Sequence, residues 1–161
     1  MTDSGPDVSL RPLRADEYPA FVATSKAGYA QAIEEQAGYT AEYARQRAED
    51  DFANILPAGL ATAGHAITVI EAEGEAVGRL WLAEREMGAQ RVLFIYDIEI
   101  DEAFRGRGLG RAAMLLAEEQ ARQRGITRVS LNVFGGNEVA RKLYRSLGYV
   151  ESSVQMAKDL A

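Results

Sequence analysis

The chain has 161 residues, no cysteine and one histidine, His65, and its formal net charge at pH 7 is −6. Without cysteine there are no disulfides, thiolate metal sites or cysteine nucleophiles, and one histidine cannot build a multi-histidine metal centre. The negative charge argues against general binding to nucleic acid or to an anionic membrane, and the length suits one domain, 1–161, with one core.

Residues 1–7 are polar, contain Gly5 and Pro6, and read as a loose end. The first ten residues lack the basic and apolar regions of a secretory signal, and no apolar run approaches a membrane span. The expected location is therefore the cytoplasm. Val8, Leu10 and Leu13 predict a first strand, with Pro12 near its exit. Asp16 is placed to cap a helix running to about Ala37, where Gly38 stops it. Thr40 can cap a second helix with Tyr43 and Phe52 on its apolar side and Pro57 beyond its end. The many charges of that helix read as a solvated face. From His65 the pattern becomes strand-like: two apolar runs split by Glu73-Gly74-Glu75, then a turn around Gly88 into a third run, Val92 to Ile100. Three strands in hairpin order imply an antiparallel sheet. Asp101 to Phe104 is a polar turn. A helix follows from about Leu109 to Arg124, with Ala113, Leu116 and Ala117 on one face and Gly125 at its end. Arg128 to Phe134 is the next strand, and a strand–helix–strand unit places it parallel to its neighbour. Asn137 caps a last helix, 138–147, with an apolar stripe of Val139, Ala140, Leu143, Tyr144 and Leu147. A short final strand is expected from Tyr149 to about Lys158. The fold class is mixed α/β.

The stretch Arg105-Gly106-Arg107-Gly108-Leu109-Gly110-Arg111 joins a buried strand to a helix N-terminus. Amides there have no intrahelical partner, the helix dipole favours negative charge, and glycines permit positive φ and close approach of a ligand. Arg105, Arg107 and Arg111 add cationic donors suited to phosphate. No Lys-Ser or Lys-Thr follows the last glycine, as a nucleotide triphosphatase would need. Arg111 stands where a dinucleotide fingerprint needs a third glycine.

The pattern Arg105-x-x-Gly108-x-Gly110 after an apolar strand resembles the acetyl-coenzyme A signature of the GNAT N-acetyltransferases. A second segment, Asn137-x-x-Ala140-x-x-Leu143-Tyr144-x-x-Leu147-Gly148-Tyr149, resembles that family's C-terminal motif. The two stand in the family's order and at about its usual distance, and the likeness extends over nearly the whole chain. The resemblance implies the GNAT fold: a mixed, mostly antiparallel sheet of six or seven strands flanked by four helices. Its fourth and fifth strands splay apart to admit acetyl-CoA.

The resemblance also implies roles. The amides of the Arg105–Arg111 loop would hold the cofactor pyrophosphate. Backbone groups of Ile98, Glu99 and Ile100, exposed by a bulge, would meet the pantetheine arm and the acetyl carbonyl. Tyr144 would be the general acid for the coenzyme A thiolate; its apolar body also suits the core. Asn137 would reach the cofactor as well as cap its helix. Asn132 either lines the cleft or faces solvent. Asp97 and Glu99, two apart on one strand, point to one side. Carboxylates in an apolar strand are costly unless paired, solvated or functional, so they are candidates for binding an ammonium group and accepting its proton, or for an ion pair with Arg79 or Arg91. Tyr29, Tyr39, Tyr43, Glu34 and Glu35 offer either an acceptor pocket or ordinary packing. His65 reads as a satisfied histidine and Trp81 as core. The expected partners are acetyl-CoA and an amine acceptor, with no metal, nucleic acid or membrane. A homodimer is a further option that no residue establishes. The leading reading is direct acetyl transfer to a primary amine; the alternative is a non-catalytic acyl-CoA sensor.

Overall fold

The computed structural model describes residues 5–161; of the predicted loose end, residues 1–4 lie outside the described residues. Five strands form one sheet: β1 (Val8–Pro12), β2 (His65–Ala72), β3 (Glu75–Met87), β4 (Gln90–Ile100) and β5 (Val129–Leu131). They lie in chain order; β1 to β4 are antiparallel and β5 runs parallel to β4. Four α-helices accompany them: α1 (Tyr18–Ala37), α2 (Ala41–Ile55), α3 (Leu109–Gln123) and α4 (Glu138–Ser146).

Both faces of the sheet are buried. On one, Phe21 of α1 and Phe52 of α2 pack with Leu56, Ile67 and Trp81. On the other, Ala113, Met114, Ala117 and Ala121 of α3 pack on Ile70, Leu80, Leu82, Leu93 and Ile95. Alanines at helical spacing bring the α3 backbone close to the sheet. Tyr144 and Leu147 of α4 join that layer at its edge.

The expected mixed, mostly antiparallel sheet is present, with five strands rather than six or seven. The final strand expected over 149–158 does not form: residues 149–161 have no regular secondary structure and pair with no strand of the sheet. Asp16 is not the cap of α1. Glu17 holds the N-cap position without a side-chain cap bond, its carboxylate being used by Arg11 and by the Arg14 amide. Thr40 does cap α2, its Oγ1 accepting from the Tyr43 amide at 3.2 Å. Tyr43 itself points outward and pairs with Tyr39, while Ala44, Ala48 and Phe52 make the buried face. Val139 is exposed rather than part of the α4 stripe.

Two irregularities shape the centre of the sheet. Trp81 of β3 pairs with Asp97, and its neighbour Leu82 pairs with Ile95, so Tyr96 is an extra, bulged residue in β4. Val77 is the corresponding extra residue of β3 against β2, and the next residue, Gly78, faces Ile100. A Cβ on Gly78 would overlap the Glu99 carbonyl oxygen and lie 3.1 Å from Ile100 Cα. Only glycine lets β3 approach β4 this closely, and the obstacle is backbone, which cannot swing aside. Gly78→Ala is therefore expected to destabilise the fold by about 2 kcal/mol or more, read as a lower urea midpoint with an unchanged m-value.

Candidate active site

Pairing between β4 and β5 covers Leu93 to Ile95 on β4 and Val129 to Leu131 on β5, and it stops one residue before the bulge. From Tyr96 to Ile100, β4 continues against β3 alone. The expected splay is thus present. β5 is accordingly shorter than the predicted Arg128–Phe134, its pairing ending at Leu131 where β4 enters the bulge. Asn132 is exposed just beyond the end of β5.

The bulge is fixed by aromatic packing. The Tyr96 ring stacks on Trp81 with centroids 4.7 Å apart, meets Phe94 edge-on at 4.8 Å and lies 5.5 Å from His65. Trp81 Nε1 donates to His65 Nδ1 at 2.9 Å, so His65 is a satisfied histidine and Trp81 is core, as expected. Because Tyr96 and Asp97 straddle the bulge, both lie on the α1/α2 face, while Ile95 and Ile98 lie on the α3 face.

Asp97 Oδ2 accepts from Arg79 Nε at 2.6 Å and from Ser25 Oγ of α1 at 3.2 Å. Glu99, on the same side, accepts from Arg105 at 2.8 Å and lies 3.9 Å from Arg79. Of the two ion-pair partners suggested by sequence, Arg79 is the one used; Arg91 binds Glu84 instead. The carboxylates differ in freedom: the Asp97 side chain is 23% exposed and that of Glu99 is 42%. Asp97 is a fixed, charge-compensated acceptor, and Glu99 is the more accessible group.

Arg105, Gly106, Arg107 and Gly108 lead into α3. Gly106 and Gly108 have φ of 77° and 76°, and Gly108 is the α3 N-cap. Their left-handed backbone turns the loop so that the first amides of α3, from Leu109, Gly110 and Arg111, point out of the helix end. The three arginines are not equivalent. Arg105 donates to the Ile100 carbonyl at 2.9 Å as well as to Glu99, so its charge is already paired. Arg107 meets the Ala103 carbonyl and the face of Phe104, and Arg111 meets the Ser146 hydroxyl. Those partners are neutral, and among the described residues neither arginine pairs with a carboxylate.

Tyr144 of α4 is half-buried at the edge of the α3 layer, its ring 6.0 Å from that of Tyr149. Burial, and then the nearby charges of Asp97 and Glu99, push its phenol above the usual value, so it stays protonated at neutral pH. Asn137 Oδ1 accepts from the Ala140 amide at 3.2 Å and so caps α4. The structure thereby brings Asp97, Glu99, Ile98, Ile100, the Arg105–Arg111 loop and Tyr144 to the open end of β4. Tyr29 does not join them: its hydroxyl donates to Asp51 of α2 at 2.8 Å. Tyr39 and Tyr43 meet at a tilt at the surface, and Glu34 and Glu35 are exposed. Ser25 was missed by sequence reasoning. Its signal is a small polar residue four positions after Phe21 and four before Tyr29, within the stripe that α1 turns inward. Among the described residues no cluster of His, Asp and Glu is arranged to hold a metal ion, and no helix is long and apolar enough to cross a membrane.

Comparison with known proteins bears on this arrangement. The sequence model of the acetyltransferase (GNAT) family matches residues 27–149. The N-acetyltransferase YdgE of Bacillus subtilis (strain 168) is 32% identical, covering 94% of this chain and 98% of its own. YycN from the same organism is also 32% identical, covering 95% and 99%. The YycN crystal structure matches with a TM-score of 0.91 over 96% of this chain and 99% of its own, at 31% identity. An aminoglycoside N-acetyltransferase solved in complex with CoA shares the fold, with a TM-score of 0.62 at 16% identity over 99% of each chain.

The His65–Trp81 bond makes stability pH-dependent. Burial and the neighbouring Arg85 hold the imidazole below its ordinary pKa, and protonation would remove the lone pair that accepts the indole N–H. The unfolded chain therefore binds the proton more readily. The stabilisation is complete above about pH 6.5 and is lost as pH falls below it. Urea unfolding at pH 7.5 and pH 5.5 should show a drop for the native chain and a smaller drop for His65→Gln, which keeps an acceptor and cannot titrate.

Proposed function

The chain belongs to the acetyltransferase (GNAT) family, and on that premise we propose that it moves the acetyl group of acetyl-CoA directly to a primary amine of a small molecule or peptide. The observation that carries this reading is the free edge of β4, Tyr96 to Ile100, running straight into the amide-lined N-terminus of α3. One element offers unpaired strand backbone and the next offers an anion site, the pairing that a pantetheine arm ending in a pyrophosphate requires. Acetyl-CoA supplies the thioester; the complex of a fold neighbour with CoA supports this choice of donor.

The residues then divide the work. Amides from Gly106 to Arg111 receive the pyrophosphate, with Arg107 and Arg111 supplying charge, since Arg105 is already committed to Glu99. Backbone N–H of the Ile98–Ile100 segment polarises the thioester carbonyl. Glu99, the more accessible carboxylate, binds the acceptor ammonium and takes its proton, directly or through water. Asp97, locked by Arg79 and Ser25, holds the local field and the α1 wall. Tyr144, kept protonated by its surroundings, gives its proton to the sulfur as the C–S bond breaks. Asn137 and Asn132 flank the cofactor side of the cleft. The chain has no cysteine to carry an acetyl group, which supports attack by the amine itself. The net charge of −6 favours a cationic acceptor.

Calorimetric titration with acetyl-CoA should give binding that Gly108→Asp abolishes, because a side chain strains the left-handed N-cap and the new anion repels the pyrophosphate. With a panel of primary amines and detection of free thiol, Tyr144→Phe should lower turnover by about 100-fold or more while acetyl-CoA binding is retained. Absence of acetyl-CoA binding to the native chain would overturn the reading.

A further inference from the structure

Trp81 is the one tryptophan of the chain and His65 the one histidine, and the two are bonded to each other. The indole is 2% exposed and sits among four rings, Phe21 of α1, Phe52 of α2, His65 of β2 and Tyr96 of β4, with centroids 4.7–5.9 Å away. Its N–H donates to His65 Nδ1 at 2.9 Å. An indole nitrogen only donates, so Nδ1 must carry the lone pair and Nε2 the hydrogen. The bond therefore exists with a neutral imidazole in one tautomer. A proton at Nδ1 would set N–H against N–H and leave a buried donor unpaired.

The surroundings of His65 favour the neutral form. β3 presents Arg85, whose guanidinium lies 4.7 Å from the Phe94 ring and 5.9 Å from the Tyr96 ring. Glu84, beside Arg85 in the chain, is taken by Arg91 and Arg124. β4 presents the Tyr96 phenol, and the next residue, Asp97, is held by Arg79 and Ser25. α1 and α2 bring Phe21 and Phe52 to the stack, and Thr62 to Gly64 carry no charge. Burial and Arg85 together disfavour a second proton on the ring.

Trp81 is thus held on one side by a bond that a proton can break. On the other side it holds Tyr96, with ring planes 23° apart. Tyr96 is the surplus residue of β4, and the free edge of that strand begins at it. We propose that His65 is a positioning residue for the cofactor: neutral, it steadies Trp81 and, through Tyr96, the free edge of β4; protonated, it loosens that edge, so that proton uptake at His65 and cofactor binding oppose each other. The neutral form dominates above about pH 6.5 and gives way below it. The opposition is reciprocal, so a bound cofactor lowers the proton affinity of His65 by the factor by which the proton weakens binding. The inference rests on the acetyl-CoA reading of the β4 edge and adds a proton-sensitive support behind it.

Because tryptophan and histidine each occur once, tryptophan fluorescence followed against pH reads their bond directly, and calorimetry with CoA gives the affinity. In the native chain the fluorescence should step with pH, and saturating CoA should move the midpoint of that step to lower pH. CoA affinity should fall about fivefold or more from pH 7.5 to pH 5.5. His65→Gln keeps an acceptor for the indole and cannot titrate. It should bind CoA as the native chain does at pH 7.5, show no fluorescence step and lose much less affinity at pH 5.5. The ionisation of CoA itself is common to both chains and cancels in the comparison. His65→Leu, which removes the acceptor, should bind about fivefold or more weakly already at pH 7.5. Circular dichroism at each pH verifies that folded chains are compared. A midpoint that CoA does not move, a glutamine variant that loses affinity with pH as the native chain does, or native affinity in the leucine variant would each overturn the proposal and leave the acetyl-CoA reading standing. No binding of CoA by the native chain at pH 7.5 would overturn both.

Discussion

One surplus residue governs the middle of this molecule. Tyr96 has no counterpart in β3, and the aromatic stack with Trp81 holds it in place. Were Tyr96 in regular alternation instead of bulged, Asp97 would fall on the α3 face, away from Ser25 and Arg79. Pairing with β5 ends at Ile95, the residue before the bulge. The parting of the two strands, the direction of the carboxylates and the exposed backbone of β4 thus follow from one local constraint. Its hydrophobic anchor lies on the face opposite α3, so the cleft is set from behind.

A line of alternating charge crosses this region: Ser25 to Asp97, Asp97 to Arg79, Arg79 to Glu99, Glu99 to Arg105. Two carboxylates and two guanidinium groups make a neutral set. That balance is what makes partial burial tolerable, since removing one member would leave a desolvated charge without a partner. The line also joins α1 to the glycine loop through side chains of β3 and β4. The two walls of the cleft are thereby held at a fixed spacing without a covalent tie.

Much of this was legible in the sequence because the signals were local. Glycine and asparagine mark the ends of helices, a Glu-Gly turn marks a hairpin, and Asp97 and Glu99 share a face by simple alternation. The glycine loop and the Asn137–Tyr149 segment carried the family likeness. What could not be read depends on partners distant in the chain. Glu17 replaces Asp16 at the start of α1 because Arg11, six residues away, holds its carboxylate. Ser25 matters because of a strand 72 residues later. The final strand was predicted from composition that is indeed strand-like, but composition cannot say whether an edge lies within reach. Likewise, the distinct partners of Arg105, Arg107 and Arg111 are invisible in a run of similar residues.

The Gly78 contact has a bearing on how such a site can change over generations. The β3 side of the cleft is defined by main chain pressed against main chain, so nearly every replacement there costs the fold itself. The α1 side presents side chains, Ser25 among them, on a helix that can accept other residues without altering its path. The helical wall can therefore vary in its side chains from ancestor to descendant, while the sheet wall passes unchanged. The division separates the part of the cleft that carries the fold from the part that lines it, and it lets one vary without endangering the other.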